Sequence, residues 1–291
     1  MVIDVVNISK NDLIKWIRES LVKYRIKLRK RLSQVMMVEP KAFKKIIETI
    51  SLLINDVEKP LIVEVGAGLG TLTSALGKIP NSYIISIELD TRFTPLLKEL
   101  QGSFPNIDIV ISDARVFLRT TKNPYIVVGN LPYHITSDLI LEVGKSSVEY
   151  VVITVQKDVA DRFIAKPGDK NYSKISLFVQ YLFDVEICEI LPPSSFIPSP
   201  DVFSAIVVMK RKRAFNEYAD VEDIVKCLFS FRRKHVLKSL KKCLNVELNM
   251  LGINESDDLW RKRVYQLAPE DIEKLVIVLR KVRLKRGQWE E

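Results

Sequence analysis

The sequence predicts an α/β fold: a mostly parallel sheet covered by helices, followed by a small all-helical domain. Two observations carry this. From about residue 60, short β-branched runs alternate with amphipathic stretches: LIVEV (61–65), YIISIE (83–88), IDIVI (107–111), YIVVG (125–129) and EYVVITV (149–155). The runs are too continuously apolar for half-exposed strands, so both faces must be covered, as in a parallel sheet with helical crossovers. After Arg213 only helical spacing remains. Val221, Ile224, Val225 and Leu228 follow i, i+3, i+4, i+7, as do Ile272, Leu275, Val276 and Leu279. The second set follows Pro269-Glu270-Asp271, which suits a first helical turn.

The remaining elements follow in chain order. The first 45 residues read as helical through Ile14, Ile17 and Leu21, then reach the basic run YRIKLRKR at 24–31. Two late strands, DVEICEIL (184–191) and FSAIVVMK (203–210), flank the proline-rich PPSSFIPSP and suit an antiparallel edge on the sheet. The expected domains are a basic helical arm (1–45), an α/β domain (46–210) and a small helical domain (211–291).

Composition narrows the function. The 291 residues, 47% hydrophobic and 28% charged, suffice for a large domain and a small one. There is no basic-then-apolar leader, and no apolar run approaches the ~18 residues of a membrane span, so a soluble, cytoplasmic protein with no membrane partner is expected. Cys188, Cys227 and Cys243 lack CxxC spacing and read as isolated thiols; with only His134 and His235 beside them, neither metal nor redox chemistry is expected. Nothing signals an oligomer, so a monomer is expected. The net charge of +9 is unevenly divided. Residues 1–45 carry 12 Lys and Arg against 4 Asp and Glu, residues 46–208 carry 13 against 19, and residues 209–291 carry 20 against 13. An acidic middle between basic ends suits a core that handles a small molecule and flanks that hold a polyanion.

Chemistry enters at Glu64-Val65-Gly66-Ala67-Gly68-Leu69-Gly70, where the first strand of the repeat turns into the helix TLTSALG. Glycines at that bend let backbone approach a ligand closely. Glu88 ends the next strand, where a carboxylate can hold ribose hydroxyls, and Asp113 follows the third strand in the same relative place. An acidic crevice suits a cationic nucleoside such as S-adenosylmethionine better than an anionic dinucleotide. Asn130-Leu131-Pro132-Tyr133 closes the fourth strand beside that crevice. Its physical logic fits an adenine amine, whose lone pair is delocalised into the ring. The Asn130 side-chain carbonyl and the Leu131 backbone carbonyl can take the amine hydrogens, Pro132 fixes the direction of the latter, and Tyr133 can stack on the base. Such a base must be flipped out or already unpaired.

EVGAGLG, IELD, SDA, GNLPY, VQKDVADRFIAKPGDKNYSKIS and PPSSFIPSPDVFSA, in this order and spacing, resemble the small-subunit ribosomal RNA adenine N6,N6-dimethyltransferase family over roughly residues 27–245. FSFRRKHVLKSLKK (229–242) resembles the start of that family's helical domain. The resemblance implies a seven-stranded, mostly parallel, Rossmann-like class I methyltransferase sheet with S-adenosylmethionine as donor. It implies two adjacent adenines near the 3′ end of small-subunit rRNA as acceptors, during ribosome biogenesis, with the immature small subunit as partner. Carried over by residue, Glu64, Gly66 and Gly68 form the donor loop, Glu88 holds the ribose, Asp113 the cofactor's adenine amine, Asn130 joins donor and acceptor, and Phe196 packs on the base opposite Tyr133. One departure stands out. The family usually has Gln-Asn-Phe-Leu over the cofactor; here the segment is Gln34-Val35-Met36-Met37, which keeps Gln34 and the backbone at Met37 and implies altered rather than abolished binding.

For RNA contact the sequence offers Lys166, Lys170, Tyr172 and Lys174 around Pro167-Gly168, and Arg232, Arg233, Lys234, Lys238, Lys241 and Lys242 as a basic stripe on one helix. Two alternatives stay open on the sequence alone: an adenine methyltransferase acting on another nucleic acid, and a catalytically weakened relative kept as an RNA-binding assembly factor.

Overall fold

The computed structural model describes residues 3–29, 34–121, 123–132, 135–245 and 257–285. Lys30 and Arg31 of the basic run, and Tyr133, lie outside the described residues. The chain divides into two compact units, Met1–Ala160 with Val185–Arg211, and Asp161–Asp184 with Lys212–Glu291.

The first unit opens with α1 (Lys10–Lys23), whose N-cap Ser9 accepts from the Asp12 amide at 3.1 Å. A short strand, β1 (Met36–Met37), leads into α2 (Pro40–Leu53). Proline at the first turn starts α2, and Ala42, Phe43, Ile46 and Ile50 form its buried stripe. The repeat follows: β2 (Leu61–Val65), α3 (Thr71–Leu76), β3 (Tyr83–Glu88), α4 (Thr94–Gln101), β4 (Ile107–Ile111), α5 (Ala114–Thr120), β5 (Ile126–Asn130), α6 (Thr136–Lys145) and β6 (Tyr150–Gln156). The chain then runs through α7 (Lys157–Ile164), α8 (Lys174–Leu182), β7 (Phe183–Leu191), β8 (Phe196–Ile197) and β9 (Ser204–Arg211).

Seven strands form one sheet in the order β4-β3-β2-β5-β6-β9-β7. Strands β2 to β6 run parallel to one another, and β9 runs antiparallel to β6 from Tyr150↔Lys210 to Gln156↔Ser204. The seven apolar runs read from the sequence match these strands to within a residue or so at each end. β1 and β8 pair separately, Met37 opposite Phe196. Gly129 permits the β2–β5 approach: a Cβ there would lie 2.4 Å from the Val65 carbonyl oxygen. No other residue fits without parting the two strands.

The first 45 residues are not a free basic arm. Ile3, Val5, Leu13 and Ile17 are buried in the same apolar cluster as Ile62, Ile84 and Val128 of the sheet. The Ser74 hydroxyl donates to the Ile3 carbonyl at 2.9 Å, and Arg92 Nη1 donates to the Lys27 carbonyl at 2.7 Å. Apolar spacing in α1 demanded a partner surface, and this apolar cluster supplies it.

The second unit contains α8, then α9 (Asn216–Ala219), α10 (Glu222–Ser230), α11 (Val236–Leu244), α12 (Asp258–Arg261) and α13 (Asp271–Lys285). Residues 161–184, placed by the sequence reading in the α/β domain, group here instead. The reason is aromatic packing: Phe178 meets Tyr218 edge-on with ring centroids 5.0 Å apart, and Tyr181 lies 5.6 Å from the same ring. Cys227 and Cys243 are joined as a disulfide between α10 and α11, so they are not the isolated thiols the spacing suggested; Cys188 is free. Sequence spacing hides the pair because helix packing, not a CxxC motif, brings the sulfurs together. Among the described residues no helix is long and apolar enough to cross a membrane.

Candidate active site

A cleft in the first unit opens at the carboxyl ends of β2, β3, β4 and β5, where α/β sheets hold ligands. Its floor is the glycine turn. Gly66, Gly68 and Gly70 all have positive φ (81°, 54° and 71°), which glycine adopts without strain. The Gly68 amide donates to Glu88 Oε2 at 2.8 Å, and the Asp90 amide donates to Glu88 Oε1 at 2.7 Å. Two of the carboxylate's roughly four lone-pair positions thus brace the turn, which leaves acceptor capacity for a ligand hydroxyl. Burial raises the Glu88 carboxyl above its ordinary value.

Glu64 lies deeper, 1% exposed, and accepts from the Thr73 and Ser86 hydroxyls, both at 2.6 Å. Loss of hydration outweighs those bonds and pushes its carboxyl up to about 7. Asp113 caps α5, accepting from the Arg115 amide at 2.9 Å and from its guanidinium at 2.6 Å, which holds its carboxyl below the ordinary value. Both Asp113 and Arg115 line the cleft, so the acid reaches it already paired.

Asn130 closes β5. Its Nδ2 donates to the Val35 carbonyl at 3.1 Å, while its buried Oδ1 has no partner. A buried amide oxygen without a donor is expensive to maintain, and Asn130 lines the cleft. Pro132 also lines the cleft, and Leu131 is pinned by its amide donating to the Thr154 carbonyl at 3.0 Å.

The 34–37 segment forms the opposite wall. Gln34, Met36 and Met37 line the cleft, and Met36 covers the glycine turn, its Cε 3.5 Å from where a Cβ on Gly68 would stand. Gln34 Nε2 donates to Asp90 Oδ2 at 3.0 Å, and Arg92 grips both Asp90 and the Lys27 carbonyl. At Val35 it is the backbone carbonyl that meets Asn130. Sequence reasoning missed Asp90 and Arg92 as the latch that holds this wall. The available signal was the final acid of IELD, quoted but given no task.

Three expected contacts are placed differently. Phe196 is 2% exposed within the apolar cluster, opposite Met37, so its ring is enclosed rather than offered to a base. Tyr172 is wholly buried in the second unit, its hydroxyl donating to the Leu267 carbonyl at 2.7 Å, and is closed to RNA. Arg232 is a clasp rather than a free cation: its Nη2 donates to the Lys170 and Tyr172 carbonyls at 3.0 and 2.8 Å, and its guanidinium lies over Tyr265. Nor do Arg232, Arg233 and Lys234 lie on a helix; they occupy the turn between α10 and α11, and only Lys238, Lys241 and Lys242 are helical. Lys166, Lys170, Arg233, Lys234 and Lys238 are exposed, and Lys174 is half-buried at the start of α8.

A glycine turn, a carboxylate ending the next strand and an orphaned amide oxygen, set on a seven-stranded sheet with an antiparallel late strand, define a class I methyltransferase; that class uses S-adenosylmethionine. Across residues 25–274 the chain matches the family model described as ribosomal RNA adenine dimethylase. It belongs to that family and is an enzyme of rRNA adenine dimethylation. It is 34% identical over 262 residues to the probable ribosomal RNA small subunit methyltransferase A of Methanothermobacter thermautotrophicus, covering 88% of this chain and 92% of that one. With the ribosomal RNA small subunit methyltransferase A of Thermotoga maritima it shares 33% identity, covering 88% and 86%. Among solved structures, a dimethyladenosine transferase from Plasmodium falciparum shares the fold at a TM-score of 0.66 and 24% identity, covering 87% of this chain and 98% of that one. The 23S rRNA methyltransferase ErmE matches at 0.58 and 25%, covering 84% and 99%.

Proposed function

We propose that the enzyme methylates the N6 amines of two adjacent adenines near the 3′ end of small-subunit rRNA, within the immature small subunit, and acts as a cytoplasmic monomer. The observation that carries the site reading is the buried, unpartnered Oδ1 of Asn130, a residue that lines the glycine-floored cleft. The choice of small-subunit RNA rests on relatives that bear that name over nearly their whole length.

The cleft suits S-adenosylmethionine on its own chemistry. Glu64, Glu88 and Asp113 face a cationic nucleoside, the glycine turn leaves room for its backbone-close approach, and Gln34 and Met37 contribute the facing wall. When bound, the cofactor supplies an electrophilic methyl on a sulfonium. The chain's own residues do the rest by positioning. Asn130 Oδ1 and the Leu131 carbonyl accept the hydrogens of the target amine, which localises its lone pair toward the methyl. Pro132 fixes the direction of the Leu131 carbonyl, and Tyr133 stacks on the base. As the C–N bond forms, the bond from the methyl to the sulfonium breaks and leaves a neutral thioether; positive charge develops on the amine, the two acceptors bind it more strongly than in the ground state, and one amine proton then passes to solvent. Exposed Lys166, Lys170, Arg233, Lys234 and Lys238, with Lys174, contact phosphate.

The reading is tested by incubating unmodified small subunits with the enzyme and labelled donor, then mapping the products. The expected result is two adjacent dimethyladenosines near the 3′ end of the RNA. Modification elsewhere in that RNA, or only on large-subunit RNA, would contradict it.

A further inference from the structure

Among the described residues four buried side-chain atoms lack a partner: Asn130 Oδ1, Thr154 Oγ1, Ser195 Oγ and Arg232 Nε. Two of them sit side by side. Asn130 on β5 is the register partner of Thr154 on β6 in a parallel pair, so their side chains project from the same face of the sheet. Val128 and Val152, two residues earlier on each strand and so on that face, are core residues, as is Ile206, the β9 partner of Thr154. Thr154 is wholly buried among them. A hydroxyl there carries a desolvation penalty that a valine of the same shape would not. Such a group, held unpaired beside another, marks a functional position better than a packing one.

Asn130 shows what it is for. Its carboxamide is tethered at the Nδ2 end, to the Val35 carbonyl, and untethered at the oxygen. If the group turned over, an NH2 would meet the hydrogens of the target amine and the acceptor would be lost. We propose that Thr154 is a positioning residue for Asn130: in the catalytic complex its hydroxyl donates to Asn130 Oδ1, directly after rotation about χ1 or across one water. The amide is then fixed at both ends. Of the two lone pairs on Oδ1, one faces Thr154 and the other is left for the amine. This rests on the reading of Asn130 as the acceptor of an amine hydrogen.

The test uses the full-length enzyme on unmodified small subunits, with Thr154→Val, Thr154→Ala and Thr154→Ser read for kcat, for KM of donor and RNA, and for melting temperature. The expected result is a Thr154→Val enzyme that melts higher than wild type, keeps both KM values within about twofold, and loses at least tenfold in kcat. Thr154→Ala is equally slow, and Thr154→Ser recovers most of the rate. Combining Thr154→Val with Asn130→Ala costs nothing beyond Asn130→Ala. Full kcat in Thr154→Val or Thr154→Ala, or no recovery in Thr154→Ser, would overturn the proposal. Asn130→Ala separates the two levels: if it is inactive while Thr154→Val is normal, only the Thr154 proposal falls. If Asn130→Ala is active, the reading of Asn130 falls first.

Discussion

Glu64 shows how burial at one residue becomes a measurable property. Its carboxyl is raised from the ordinary 4.5 to about 7, so the folded apo state favours the proton. Its contribution to stability is therefore complete below about pH 4.5 and is lost as pH rises through 7. A cationic ligand reverses the preference and draws Glu64 into the ionised form, so binding below pH 7 releases a proton. Donor affinity is predicted to rise up to about tenfold per pH unit as pH approaches 7, then to level off, measured by calorimetry between pH 6 and 8. Glu64→Gln flattens that profile, weakens binding, and makes the apo protein more stable than wild type above pH 7. A flat wild-type profile would contradict this account.

At the scale of elements, the β2–β5 junction and the α10–α11 pair each make a prediction. A methyl at Gly129 would collide with the Val65 backbone, which cannot move without parting two central strands. Gly129→Ala is therefore predicted to cost about 3 kcal/mol or more in urea unfolding. Gly102→Ala, with open contacts of 3.6 Å or longer and ordinary φ, stays near wild type. An equal effect in both variants would refute the steric argument. The Cys227–Cys243 bridge closes a loop of 16 residues. On the chain-entropy account its loss in Cys227→Ser costs about 3 kcal/mol, read as a lower melting temperature of the intact chain that reductant no longer changes. Identical melting with and without reductant in the wild type would contradict it.

These two elements also show what the sequence could disclose. Strand runs such as LIVEV and YIISIE were legible because covering both faces of a parallel strand requires an unbroken apolar run, and local sequence alone encodes that. The glycine turn and Asn130 were legible because their positions relative to strand ends are fixed by chain order. What sequence could not supply was tertiary proximity: that Cys227 meets Cys243, that Val35 reaches Asn130, and that Thr154 stands beside it. Exposure was equally hidden. Tyr172, set among lysines in a polar loop, was expected to contact RNA, and Phe196 was expected at the base only from the family resemblance, yet packing encloses both rings.

Over the whole molecule, charge is unevenly placed. Glu64, Glu88 and Asp113 line the cleft of the first unit, and Lys166, Lys170, Arg233, Lys234 and Lys238 of the second unit are exposed. Binding to small-subunit RNA is predicted to weaken steeply with salt, and a Lys166→Ala, Lys170→Ala double variant to lower the slope of log K against log salt by roughly 2. An unchanged slope would remove that loop from the interface. The central claim is that Asn130 converts a weak amine into a nucleophile, and methyl transfer by Asn130→Ala tests it most directly. Unmodified small subunits are incubated with donor and enzyme, and the digested nucleosides are analysed by mass spectrometry. The account predicts dimethyladenosine with wild type and a loss of at least about 100-fold in kcat with Asn130→Ala, at unchanged melting temperature and RNA affinity. Dimethylation at the wild-type rate by Asn130→Ala would contradict it.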